Sequence, residues 1–313
     1  MAAAKVLITA DIHPYLQQRF QMFGFEVDVV PEIPRDELLK LIPAYTILIV
    51  TTYTLVDKEV INNAPQLKLV GRVGSGMENI DLVYCREKNI ICLNSPEGNA
   101  NAVGEHCLAM LLNLLNNICK ADAELKKGIF LREAYRGEEL DGKKVGIIGY
   151  GHTGSAFSKK LRGFDVEVMV YDKYIVPEVA HINVVSLETI QQQCDVISFH
   201  VPYNEETHYY GDISFFASCI KKPIIINTSR GAVLQTTALL AALESRQIGG
   251  LCIDVFEDEP INKGRIHALE IYQRLMALDN VVATPHVAGW TVQSKYKLVK
   301  VLMDKIEEAL VLS

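Results

Sequence analysis

Residues 143–172, KKVGIIGYGHTGSAFSKKLRGFDVEVMVYD, constrain the fold more than any other stretch of the chain. Val145, Ile147 and Ile148 make an apolar run too short for a helix. It stops at glycine, as a buried parallel strand entering a tight turn would. Gly149, Gly151 and Gly154 then fill the pattern G-x-G-x-x-G. In such a turn the first glycine permits the bend and the second lets backbone N–H groups approach a pyrophosphate. The third lets the next helix lie close to the strand. That helix is expected over about 155–162, with its N-terminal partial positive charge aimed at the phosphates. A second apolar strand, 166–171, ends at Asp172, eighteen residues after Gly154. A carboxylate there accepts the ribose hydroxyls of an adenosine and repels a 2′-phosphate, so NAD is favoured over NADP. Three glycines alone would be a weak sign. The order strand, glycines, helix, strand and acid carries the reading.

At 313 residues the chain has room for about two domains, and 49% hydrophobic with 22% charged residues is an ordinary globular composition. No run of 18 apolar residues occurs, so no membrane span is expected. The opening MAAAKVLITADIH meets a strand-like run and does not read as a secretory signal. A net charge of −7 without lysine or arginine blocks argues against a nucleic-acid partner. The seven cysteines, Cys85, Cys92, Cys107, Cys119, Cys194, Cys219 and Cys252, are scattered, with no C-x-x-C. They read as buried free thiols of a cytoplasmic protein. The histidines are dispersed and no Cys/His pair has ligand spacing, so no metal is expected.

Strand-like runs at 6–9, 27–30, 47–50 and 68–73 alternate with helical spacing, which makes the first part a small parallel α/β unit. The breaker-rich NSPEGN (94–99) then precedes one long helix, expected over about 101–127. Beyond the glycine turn, the runs at 195–202, 223–231, 248–256 and 280–289 each end in a polar tip. In an open parallel sheet such tips line the ligand crevice. Pro202, Thr228, Ser229, Arg230, Asp254, Glu259 and His286 lie there. The last stretch, 291–312, has helical spacing and should cross back onto the first unit. This gives a doubly wound, Rossmann-type cofactor domain at 99–286 inserted into a flavodoxin-like α/β substrate domain made of 1–98 and 287–313.

Hydride transfer from an alcohol carbon needs a base for the hydroxyl proton and a cation for the substrate carboxylate. His286 and His200 both follow strands, and the pattern alone does not separate them. Arg230, in NTSRG, follows a buried strand, where its guanidinium fork could grip a carboxylate at two points. Glu259, in DVFEDEP, could set a carboxylate against an imidazole and stabilise its protonated form. Each residue also has a plain alternative as a surface turn histidine, a paired surface arginine or a solvated loop acid.

In order, VGRVGSGMENID (70–81), the glycine motif with Asp172, HVP (200–202), NTSRGAV (227–233), DVFEDEP (254–260) and TPHVAG (284–289) resemble the NAD-dependent D-2-hydroxyacid dehydrogenases. The likeness covers nearly the whole chain. It implies that Arg230 binds the substrate carboxylate and keto oxygen, that His286 is the acid/base and that Glu259 pairs with it. It thereby chooses His286 over His200. It implies a cofactor site built from Gly149, Tyr150, Gly151, His152, Thr153, Gly154, Asp172, His200, Val201, Pro202, Thr207, Thr228, Ser229, Arg230, Asp254, His286 and Gly289. It also implies substrate contacts from Ser75 and Gly76, and a homodimer through the cofactor domains.

Within the family the chain most resembles the short form of D-3-phosphoglycerate dehydrogenase, which lacks a C-terminal regulatory domain and serves serine biosynthesis. Arg72 and Arg132 would then supply cations for a phosphate, Arg132 from the partner subunit. Thr51 departs from the pattern, because many of those enzymes carry an arginine there. The departure keeps glyoxylate or hydroxypyruvate reduction open. Trp290 could wall the substrate pocket or simply pack. A reading from another class is an NAD-sensing binding protein on the same scaffold, which would have no need of Arg230, Glu259 and His286 together.

Overall fold

The computed structural model describes residues 4–175, 179, 181–259 and 270–311. It divides into two compact units, Met1–Asn99 with Trp290–Ser313, and Ala100–Gly289.

In the first unit the strands are β1 (Lys5–Ile8), β2 (Glu26–Val29), β3 (Ile47–Val50), β4 (Leu69–Arg72) and β5 (Ile91–Asn94). All pairings are parallel, in the order β2-β1-β3-β4-β5, which is the flavodoxin-like winding. The helices are α1 (Tyr15–Met22), α2 (Arg35–Leu41), α3 (Lys58–Asn62) and α4 (Leu82–Glu87). Asp57 starts α3 by accepting from the Glu59 and Val60 amides, and Asp81 starts α4 by accepting from the Tyr84 amide.

Next comes α5 (Glu97–Asn116), which crosses the boundary between the units, and α6 (Ile118–Leu125). The single long helix expected here is broken at Asn117, whose φ of +52° is left-handed and ends the ladder. Asparagine tolerates that conformation, and the apolar spacing continues across the break, so periodicity did not reveal it.

The second unit contains β6 (Lys144–Ile148), α7 (His152–Leu161), β7 (Glu167–Tyr171), β8 (Asn183–Val184), α8 (Leu187–Gln193), β9 (Val196–Phe199), α9 (Ile213–Ala217), β10 (Ile224–Asn227), α10 (Thr236–Glu244), β11 (Gly250–Ile253), α11 (Glu270–Met276) and β12 (Val281–Ala283). Its parallel sheet has the order β12-β11-β10-β9-β6-β7-β8. The winding reverses between β6 and β9, the switch point where α/β sheets open a ligand crevice. The central strands β9 and β11 are buried along their whole length, as continuous apolar runs in a sheet covered on both faces must be.

The last helix, α12 (Val292–Val311), returns to the first sheet. Its Val299, Leu302, Met303 and Ile306 are fully buried against Val6, Ile8, Ile47 and Ile49. Each such burial contributes about 1.5–3 kcal/mol. Arg19 of α1 and Glu307 pair at 2.7 Å on the rim of this contact. Gly98 admits the approach, because a Cβ there would lie 2.6 Å from the Leu298 Cα.

Among the described residues no helix is long and apolar enough to cross a membrane, and no cluster of three His, Cys, Asp or Glu could hold a metal. Five of the seven cysteines are buried, while Cys92 is half-buried and Cys119 exposed. Burial pushes the thiols of Cys107, Cys194 and Cys219 up to about 12, which leaves them protonated and inert.

Candidate active site

The glycine turn connects β6 to α7. Gly149 has a φ of +92°, and a Cβ on it would lie 2.7 Å from the His200 carbonyl oxygen. A Cβ on Gly154 would meet the Gly149 carbonyl oxygen at 2.1 Å, so the helix can lie on the turn only without one. Gly151 caps α7, and nothing lies within 4 Å of where its Cβ would be. The helix starts at His152, three residues ahead of expectation, because the turn feeds straight into it. Its first amides therefore belong to His152, Thr153 and Gly154, and first-turn N–H groups lack carbonyl partners within the helix. An open approach over Gly151, a helix N-terminus and Asp172 at the end of β7 form a cradle that fits a dinucleotide pyrophosphate and ribose.

Asp172 also stiffens this cradle. Its Oδ2 accepts from the Tyr150 amide at 2.6 Å, and its Oδ1 accepts from the Tyr174 and Ile175 amides at 2.8 and 2.9 Å. The carboxylate is thus aimed by three backbone donors from both sides of the crevice edge.

His200, at the end of β9, is buried. Its Nε2 lies 2.8 Å from the Ser198 hydroxyl and its Nδ1 lies 3.2 Å from the Thr153 hydroxyl. Burial depresses it to about 3, so the ring is neutral at ordinary pH and both nitrogens are occupied. Val201 packs on the core, and the Pro202 carbonyl accepts from the Thr207 hydroxyl at 2.6 Å, closing the loop beyond β9.

Neighbouring strands β10, β11 and β12 carry the other polar tips. After β10, the Asn227 side chain accepts from the amide and hydroxyl of Ser229 and donates to the Arg230 carbonyl at 3.0 Å. Arg230 is half-buried and its Nη1 donates to the Ser229 carbonyl at 2.7 Å. The Thr228 hydroxyl contacts the Cys107 thiol at 3.3 Å. Gly231 touches the next loop so closely that a Cβ would lie 1.9 Å from the Phe256 carbonyl carbon. The loop bearing Arg230 is therefore packed on the loop bearing Glu259.

Glu259 joins two segments. Its Oε1 accepts from the Phe256 amide at 2.7 Å, and its Oε2 lies 2.5 Å from Nδ1 of His286. The His286 side chain is 49% exposed, and with Nδ1 engaged its Nε2 is the nitrogen left for a ligand. Its φ is +56°, uncommon for a residue with a Cβ. Asp254, fully buried, holds that shape: its backbone carbonyl accepts from the His286 amide, and its carboxylate accepts from the Val287 and Ala288 amides at 2.9 and 2.8 Å. These bonds set both of its carboxylate oxygens on the histidine loop. Gly289 lies just beyond, at the end of this unit.

In the first unit, Arg72 is buried with its guanidinium folded over Gly74, donating to the Val73 carbonyl and the Thr52 hydroxyl, each at 3.0 Å. The Ser75 hydroxyl donates to Asn99 at 3.0 Å, and the Ser75 carbonyl accepts from Asn94 at 2.6 Å, so the segment carrying Ser75 and Gly76 is braced within its own unit. Arg132 is exposed, and so is Trp290, at 82%.

A family model for the D-isomer-specific 2-hydroxyacid dehydrogenase NAD-binding domain matches residues 108–288. The chain belongs to this family. It is 32% identical over 305 residues to a D-3-phosphoglycerate dehydrogenase of Archaeoglobus fulgidus, covering 96% of this chain and 56% of that one. It is 34% identical over 282 residues to a hydroxypyruvate reductase of Thermotoga maritima, covering 90% of each. The chain thus spans little more than half the length of the phosphoglycerate dehydrogenases it matches. Among solved structures, D-lactate dehydrogenase of Aquifex aeolicus, complexed with NAD and lactic acid, superposes with a TM-score of 0.83 at 27% identity, covering 98% of this chain and 95% of that one. The cofactor of this dehydrogenase domain is NAD.

The sequence reading passed over His106, on α5, and Thr284. His106 sits in an otherwise apolar helix face, and its Nε2 lies 2.9 Å from the Thr284 hydroxyl. Its spacing of four from buried Met110 was the one available sign of the side it faces.

Proposed function

We propose that the chain interconverts a three-carbon D-2-hydroxyacid and its 2-keto acid, with 3-phosphoglycerate and 3-phosphohydroxypyruvate as the first candidate pair. The 2.5 Å contact of His286 Nδ1 with Glu259 carries the reading. With Nδ1–H given to the carboxylate, Nε2 takes the hydroxyl proton in oxidation and returns it in reduction, and Glu259 stabilises the imidazolium between. Arg230 binds the substrate carboxylate through its guanidinium and polarises the reacting oxygen. Gly149–Gly154 and Asp172 hold the coenzyme, with backbone support from His200, Pro202 and Thr228, while Ser75 and Gly76 supply substrate amides. When bound, NAD takes or gives the hydride.

A second reading, reduction of hydroxypyruvate or glyoxylate, is favoured by the turn after β3. Residues 51–55 are TTYTL, without a cation, and Arg72 is directed inward onto Val73 and Thr52. A relative that matches over nine-tenths of both chains is a hydroxypyruvate reductase.

A homodimer through the cofactor domain is supported by an apolar exposed stretch at its N-terminal side: Ile118, Leu125, Ile129, Phe130 at 80% and Leu131. Arg132 follows directly and would reach the partner's site.

NADH oxidation should be assayed with phosphohydroxypyruvate, hydroxypyruvate, glyoxylate and pyruvate. Arg230→Ala and His286→Ala should each lower kcat/KM by at least about a thousandfold, with NADH affinity within about threefold of the parent. The ratio of kcat/KM for phosphorylated against unphosphorylated hydroxypyruvate decides between the two substrates. No turnover across the panel with NADH bound would overturn the enzyme reading and favour a sensor.

A further inference from the structure

His106 is not needed by the reading above, yet it lies behind the loop that shapes the acid/base. Its Nε2 is 2.9 Å from the Thr284 hydroxyl oxygen and 3.7 Å from Asp254 Oδ1, while that hydroxyl lies 2.5 Å from the same carboxylate oxygen. The polarity of this chain follows from counting protons. A threonine hydroxyl has one proton to give, and the Asp254 side chain already accepts from two backbone amides, so Thr284 donates to Asp254. The Thr284 oxygen must therefore accept from His106, whose Nε2 carries hydrogen whether the ring is neutral or protonated. The weaker contact of Thr284 with the Met110 sulfur, at 3.7 Å, does not compete with a carboxylate.

The order is thus His106 Nε2–H to Thr284 Oγ1–H to Asp254. Asp254 in turn holds the amides of Val287 and Ala288 on its carboxylate and the amide of His286 on its backbone carbonyl. The segment with the positive φ is held at the amides of the histidine and of the two residues after it by one buried residue, and His106 of α5 contacts the threonine that donates to that residue.

We propose that His106 is a positioning residue, which holds His286 in its left-handed conformation through Thr284 and Asp254. This rests on His286 being the acid/base, and the test separates the two ideas by including a readout that needs no turnover. The intact chain would be compared with His106→Leu, His106→Gln and Thr284→Val. Hydrogen–deuterium exchange of the amides at 284–289 reads the loop, with β6 amides as internal reference. Initial rates on the preferred keto acid read the chemistry.

In His106→Leu, exchange at 284–289 should rise about tenfold with β6 unchanged, and kcat should fall about tenfold with KM and NADH affinity within about twofold. Thr284→Val should reproduce this. Glutamine, whose Nε2 can still donate, should restore both quantities. Parent-like exchange and kcat in His106→Leu would overturn the proposal, as would a glutamine variant no better than leucine. If the leucine variant does not fold, the glutamine and valine variants decide alone. If the parent turns over no acid in the panel, the reading of His286 fails, and exchange still decides whether His106 holds the loop.

Discussion

His200 and His286 both follow strands of the second sheet, but their surroundings give them different chemistry. His200 is buried between two hydroxyls and held at about 3 by burial, far below its ordinary 6.5. His286 is half exposed beside a carboxylate. Position in the sequence could not separate them, because burial is set by what folds over a residue. For His200, the unfolded chain binds a proton near 6.5 whereas the native state resists it down to about 3. Its contribution is therefore fully present above 6.5 and is lost as pH falls toward 3, at up to about 1.4 kcal/mol per pH unit. His200→Asn should be less stable than the parent near neutrality, and urea unfolding should show the gap narrowing as the pH drops to about 5. A constant gap would mean that the buried ring is not held neutral.

At the scale of the element, the glycine turn was legible in full and the helices around it were not. Gly149 and Gly154 each answer a backbone constraint that only glycine meets, whereas Gly151 has an extended backbone and open space over it, so nothing within the chain itself demands a glycine there. The methyl of Gly154→Ala would meet the Gly149 carbonyl, a backbone atom that cannot rotate away. NADH affinity, measured by fluorescence titration, should fall at least about tenfold, and Tm should drop by several degrees. Gly163→Ala, with nothing within 4 Å of its new atom, should leave both unchanged. The early start of α7 and the break at Asn117 escaped the sequence for one reason. Apolar periodicity reports a buried face, and that face runs on through a cap or a single left-handed residue. The short exposed strand β8 has no such face at all.

For the molecule as a whole, alternation of strand and helix gave both parallel sheets, and the order of each follows the winding rules of such folds. Assembly was less legible, since an apolar side chain left uncovered is visible only once the core has claimed the others. In sedimentation velocity the parent should run as a dimer at micromolar concentration. Phe130→Asp with Leu131→Asp should run as a monomer that still binds NADH. An unchanged sedimentation coefficient would place the interface elsewhere. The fold of Arg72 over Gly74 bears on how such a chain could change its diet. Any side chain at 74 would collide with the guanidinium, at 1.4 Å from Nη1, and the φ of +141° there is itself strained for a residue with a Cβ, so position 74 can change only if Arg72 moves. The constraint runs one way: position 72 can change while Gly74 stays, but position 74 cannot change before 72, so any exchange that involves both must begin at the arginine.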